Sequence, residues 1–164
     1  MKLEEFFDYK NRLMKDLCCN EEIVRLITDN NDADVPNHTL SYSQIFPYEF
    51  VPETVDDGKT FICFDVDIAN VENKTFYTPV LYVWVFTHKS KMRLDAGGLR
   101  LDLMASKIND LLNGSRFYGL GELELKNVSR FSPITDYQGR ALTYVARDFN
   151  RSSTHSIPAN RKRL

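Results

Sequence analysis

The chain has 164 residues, 43 % of them hydrophobic and 27 % charged, a balance that excludes disordered, collagen-like and helical membrane-spanning classes and fits one globular domain. Its net charge of −2 and pI of about 5.9 exclude the basic footprint of a dedicated nucleic-acid binder. The charge is unevenly spread: residues 1–58 hold 5 Lys/Arg against 13 Asp/Glu, a net of −8, and residues 59–164 carry +6, an asymmetry that can steer complementary surfaces together.

Taken in chain order, residues 3–18 read as a first helix. Leu3, Phe6, Phe7, Leu13, Met14 and Leu17 keep helical spacing, with acids leading and Lys10, Arg12 and Lys15 following, as the helix dipole favours. Asn20 is placed to cap a second, short helix that opens on Glu21 and Glu22 and buries Ile23, Val24 and Ile27. From Asp29 to Gly58 no periodicity survives. This stretch contains Pro36, Pro47, Pro52 and the aromatic run Ile45-Phe46-Pro47-Tyr48-Glu49-Phe50. A segment of that length without regular structure is expected to be functional or disordered, and its aromatics predict an ordered arm or a surface loop folded back on its own domain.

Residues 59–70 alternate as a strand, with Ile62, Phe64, Val66 and Ile68 on one side and Phe61, Cys63, Asp65 and Asp67 on the other. Residues 79–88 are apolar on both sides and predict a central strand, paired with the first as a hairpin. The clearest unit follows, from Met92 to Leu125. Leu101, Met104, Ile108, Leu111 and Leu112 form one helical stripe, starting near Asp95 or the Gly97-Gly98 pair and stopping at Gly114. A third strand is expected over about 120–128 and a fourth over 141–149, after a turn containing Pro133, Asp136 and Gly139. The order ααββαββ predicts an α+β domain over residues 1–150. Its mostly antiparallel sheet of about four strands packs with an N-terminal helical pair and one central amphipathic helix. Residues 151–164 read as a basic tail ending in Arg161, Lys162 and Arg163.

The search for chemistry returns little. Gly119-x-Gly121 lacks a third glycine and precedes a strand, so it is no dinucleotide fingerprint. The run from Asp29 fails as a calcium loop, because Ala33, Asp34 and Leu40 occupy ligand or glycine positions. His38, His88 and His155 lie in three different regions. Asp65 and Asp67 share a strand face suited in principle to Mg²⁺, and more simply mark where that face reaches solvent or accepts a cation from another subunit. Cys63 is explained by strand alternation without a nucleophilic role. Three cysteines, two of them the vicinal Cys18 and Cys19, predict free thiols and a reducing compartment. The opening Met-Lys-Leu-Glu-Glu-Phe-Phe-Asp lacks the apolar run of an export signal. The longest apolar run, Val80 to Phe86, is far short of the ~20 residues that span a bilayer. The expectation is therefore a protein made in a cytoplasm, with no enzyme activity, cofactor, metal or membrane contact, and no sequence-specific nucleic-acid binding.

Five stretches, in this order, carry a resemblance: residues 45–50 (IFPYEF), 60–68 (TFICFDVDI), 100–114 (RLDLMASKINDLLNG), 119–125 (GLGELEL) and 139–150 (GRALTYVARDFN). Together they resemble the tail terminator, or tail completion, proteins of tailed bacteriophages, within the head–tail joining group. The two-helix start and its cysteine pair have no counterpart in that resemblance. It implies a structural virion protein of the neck, a homo-hexameric ring that ends tail-tube growth and docks the head connector. Its partners would be itself, the tail tube protein, head connector and neck proteins, and sheath protein where the tail contracts. Two other readings remain open: another neck component, an adaptor or stopper, and a phage- or plasmid-encoded regulator of a host protein. Candidate interface residues are Phe46, Pro47, Tyr48 and Phe50 of the arm, Asp65 and Asp67 of the first strand, Arg93, Arg100, Lys107 and Asp110 around the central helix, and Arg161, Lys162 and Arg163 of the tail.

Overall fold

A computed structural model describes residues 4–29, 39–53, 58–72, 76–118, 121–146 and 148–149. Helix α1 (Glu5–Cys19) is followed directly by α2 (Glu21–Thr28). The corner between them is the single residue Asn20. Its N–H closes α1 on Asp16 O (3.0 Å) and its side-chain oxygen accepts from Ile23 N (3.1 Å), serving as the expected cap of α2. Glu5 and Asp8, then Glu21 and Glu22, sit at the positive ends of the two helix dipoles.

The sheet comprises β1 (Ile45–Phe46), β2 (Thr60–Glu72), β3 (Phe76–His88), β4 (Glu124–Phe131), β5 (Tyr137–Val145) and β6 (Asp148–Phe149), with α3 (Arg100–Leu112) between β3 and β4. Strand order is β1-β2-β3-β5-β4, and β6 pairs with β3 past the end of β5. All pairs are antiparallel except β1 with β2. This is the expected α+β architecture, with the β2–β3 hairpin at its centre, Phe61 opposite Phe86 and Cys63 opposite Trp84. Two very short strands, β1 and β6, extend the expected four.

Alternation in the hairpin gives the sheet two apolar sides. On one, Ile62, Phe64, Val66, Leu81, Val83, Val85, Leu142 and Tyr144 pack against Leu13, Leu17, Ile23, Ile27, Leu101, Met104, Ile108 and Leu112 of the helices. On the other, Phe46, Phe61, Cys63, Phe86 and Tyr137 form a smaller aromatic core, flanked by Phe50, Trp84, Phe131 and Ile134. Gly139 makes that second core possible. A Cβ there would strike the Val85 carbonyl oxygen and approach Phe86 Cβ to 2.9 Å and Phe131 Cδ1 to 3.2 Å.

Three of the boundaries that differ from the sequence reading have a local cause. Helix α3 starts at Arg100, because Gly97 and Gly98 adopt positive φ (92° and 86°) and close a tight turn in which Leu94 N donates to Gly98 O (3.1 Å). Strand β4 starts at Glu124, since Leu123 is bonded back to the helix exit, accepting from Gly114 N (2.7 Å) and donating to Ser115 O (3.0 Å). Strand β5 starts at Tyr137, with Gly139 inside the ladder opposite Phe86 rather than in the turn before it.

Candidate interaction surface

Of the four arm candidates, Phe46 is buried within the fold, 5 % exposed. It stacks on Phe50 (centroids 4.0 Å apart, 11° between planes) and lies against Phe61 at 6.4 Å. The described part of the arm, residues 39–53, folds back because the helices leave that side of the hairpin uncovered, and aromatic area buried there stabilises the fold, while residues 30–38 and 54–57 of the arm lie outside the described residues. Pro47 is half-buried and its carbonyl accepts from Lys10 Nζ (3.0 Å). Phe50 is half-buried as well, whereas Tyr48 stays exposed with its ring 5.6 Å from Phe46. Together with Tyr42 and Val51, Tyr48 gives the 39–53 segment an exposed apolar edge. Tyr42 sits at φ 58°, a left-handed conformation that a bulky side chain rarely adopts.

Asp65 is already engaged within the chain. Its carboxylate pairs with Lys10 (2.6 Å) and accepts from Val66 N (2.8 Å), filling the edge of β2 just beyond the end of β1. Asp67 is exposed and has no ion pair among the described residues. Around α3, Arg100 is used inside the fold. It is buried, ion-paired with Asp29, and donates to Leu26 O and to Lys91 O (2.8 Å), so it ties α2 to α3. Lys107 bridges to Glu22 (3.0 Å) across the same pair of helices. Arg93 and Asp110 are exposed, as are Leu99 and Leu103 on the outward side of α3, a pair the sequence reading did not single out. Their one-turn spacing was visible, but the apolar stripe of the helix drew attention to its other face. Arg161, Lys162 and Arg163, and the tail that carries them, lie outside the described residues.

Several groups have the ingredients of chemistry but not its geometry. His88 Nδ1 lies 2.7 Å from Ser90 Oγ and 3.3 Å from Ser90 N, an arrangement that caps the short 3₁₀ turn Lys89–Lys91. Asp136 is held by Lys89 (2.6 Å), whose hydrogen bond lowers its pKa. Burial pushes the Cys63 thiol up to about 12, the opposite of what a nucleophile needs. Among the described residues no group of three or more His, Cys, Asp or Glu side chains could hold a metal ion, and no helix is long and apolar enough to cross a membrane.

The exposed apolar side chains include two groups, Tyr42, Tyr48 and Val51 along the β1 edge and Leu99 and Leu103 on the outward side of α3, beside Phe7 of α1, Phe117 after α3 and Val128 of β4, which are exposed singly. A chain with two unlike patches can pair one with the other on a neighbouring copy. Comparison with known proteins gives a family. The YomW family model matches residues 20–146, most of the described fold, and the chain belongs to that family, whose name is phage-related and comes from a Bacillus phage-like gene. No curated protein matches the chain.

Proposed function

We propose that this member of the YomW family is a structural protein of a phage neck, a tail terminator that assembles as a hexameric ring between tail tube and head connector. It acts without catalysis or cofactor. Its partners are copies of itself, the tail tube protein and the connector, with a sheath protein in a contractile tail. Its working location is the virion, reached after synthesis in the host cytoplasm.

The observation that carries this reading is the separation of two unlike apolar patches, Tyr42, Tyr48 and Val51 on one and Leu99 and Leu103 on the other. Head-to-tail rings need two different surfaces per subunit, whereas a two-fold dimer needs one self-complementary surface. The split between acidic and basic halves of the sequence supports the same polarity of contact. Removing the gene from its phage is expected to yield over-long tails detached from full heads, seen by electron microscopy. Normal tails on normal heads would end the proposal, and tails of normal length detached from heads would move the protein to an adaptor or stopper role.

A further inference from the structure

The β4 edge stands apart from both patches. Strand β4 is the terminal strand of the sheet and pairs only with β5. Its first outward rung is closed by Asn113, whose side-chain oxygen accepts from Leu125 N (2.9 Å). From Asn127 to Phe131, no backbone group of β4 bonds to anything but β5 among the described residues. Those residues are also poorly covered: Asn127 to Arg130 are exposed, and Val128, opposite the buried Leu142, is 47 % exposed.

Charge says what kind of strand fits. Arg130 stands directly opposite Arg140 in the ladder, and like charges so placed are unfavourable. Arg140 is relieved by Asp102, to which it donates twice (3.0 and 2.8 Å). Arg130 has no carboxylate among the described residues, so an incoming carboxylate would supply what Asp102 supplies to its neighbour. A second copy is a poor source of that strand. Two β4 edges paired about a two-fold axis at Val128 would set Lys126 against Arg130 twice. An axis at Ser129 would leave both Arg130 side chains unneutralised. The opposite edge of the sheet is covered as far as Val66 by the two-residue β1 and, past it, by Asp65 capping Val66 N with Lys10 across it.

We infer that the outer edge of β4, from Asn127 to Phe131, is a docking site for an extended segment of a different protein, with a carboxylate side chain facing Arg130 and an apolar one facing Val128. Backbone hydrogen bonds to the free edge hold the segment, and the two side-chain positions select it, the usual division of labour in strand addition. The site is independent of ring formation, because it uses neither apolar patch.

The test is a titration of the isotope-labelled full chain with the capped synthetic peptide Ser-Thr-Glu-Thr-Val-Thr-Ser, which in antiparallel addition sets Glu against Arg130 and Val against Val128, followed by amide shifts and amide exchange. Three controls accompany it: the same peptide with Lys for Glu, an N-methylated copy, and the variant Arg130→Glu. The inference expects shifts and slowed exchange confined to residues 127–131, loss of binding on N-methylation, and about a three- to fivefold preference for the Glu peptide that Arg130→Glu reverses. Should Arg130→Glu fail to fold, Arg130→Gln is expected to keep binding and lose the preference. No response at these amides to the Glu peptide overturns the site. Protection of residues 127–131 by self-association of the free protein overturns the choice of partner.

Discussion

Arg100, in the first turn of α3, and Asp29, the left-handed residue that ends α2, form an ion pair in which the arginine side chain is 7 % exposed and the aspartate 34 %. Asp29 also meets Lys91 (2.9 Å), and Arg100 satisfies the carbonyls of Leu26 and Lys91. Replacing Arg100 by Met keeps the stem and strands those acceptors. Removing one partner of a fully buried pair costs about 3–5 kcal/mol, and the partial exposure of Asp29 reduces this to about 2 kcal/mol. Urea unfolding should show that loss at unchanged slope. A loss under about 0.5 kcal/mol, the ordinary surface value, would mean that the pair does not hold α2 to α3.

Arg100 also marks where sequence reasoning stopped. An arginine outside an apolar stripe reads as solvent-facing, and only the meeting of α2's end with α3's start, 71 residues apart in number, makes its burial favourable. The β2–β3 hairpin and the stripe of α3 were legible because their periods run over many residues. Strand β1 was not, since two residues carry no period and its pairing is set by distant contacts such as Ile62 N to Gln44 O (2.8 Å). Glycine marks turns more often than close approaches, and nothing local in the sequence sets Gly139 apart from a turn residue. Of the candidate surface, Tyr48, Asp67, Arg93 and Asp110 are exposed, while Phe46 and Arg100 are used inside the fold. The aromatic run signalled buried area but could not say whether that area lay within one chain or between two.

Gly139 should tolerate no side chain. With a Cβ meeting the Val85 carbonyl and the Phe86 and Phe131 rings, either the β3–β5 ladder or the second core has to shift. Overpacking of this kind costs about 1–3 kcal/mol. The expected result for Gly139→Ala is a destabilisation in that range, with changed near-ultraviolet circular dichroism from the aromatic cluster. An unchanged unfolding midpoint would contradict the packing described.

Two buried tyrosines of α1 and the α3–β4 connection predict opposite signs. Tyr9 is 1 % exposed, its hydroxyl has no hydrogen-bond partner among the described residues, and its ring lies edge-on to Tyr118 at 5.6 Å. The Tyr118 hydroxyl donates to Asp16 (2.9 Å). Tyr9→Phe therefore removes an unsatisfied polar group and should be neutral or stabilising by up to about 1 kcal/mol, while Tyr118→Phe should cost about 1 kcal/mol. Equal losses from both substitutions would show that the Tyr9 hydroxyl has found a partner, such as a buried water.

Alkaline pH should weaken the fold through its thiols. Burial raises Cys63 from 9.0 to about 12, and burial followed by the neighbouring Cys19 raises Cys18 from 9.0 to about 11. A thiol whose pKa is raised on folding favours the native state below its unfolded pKa. That contribution falls as pH rises from about 9 through the folded value, by at most about 1.4 kcal/mol per pH unit for each thiol. The double variant Cys18→Ala, Cys63→Ala should show a shallower loss of stability between pH 9 and 11. An unchanged slope would place the alkaline sensitivity elsewhere. At pH 8 in native protein, the exposed Cys19 should be alkylated well before either buried thiol.

The proposed ring makes its own demand on Tyr42. At φ 58° and 61 % exposed, this aromatic holds a conformation costing about 1–2 kcal/mol that glycine would adopt freely. A fold selected for stability alone has no use for the ring there. Tyr42→Gly should therefore raise the melting temperature while lowering incorporation into particles, and Leu103→Glu on the other patch should lower incorporation with stability changed by no more than about 0.5 kcal/mol. If the two patches meet each other in a ring, either variant alone should block six-fold assembly, and an equal mixture of the two should build no complete ring, because each seam needs an intact patch from both neighbours. Full incorporation of Tyr42→Gly would leave the strain unexplained and remove this patch from the interface.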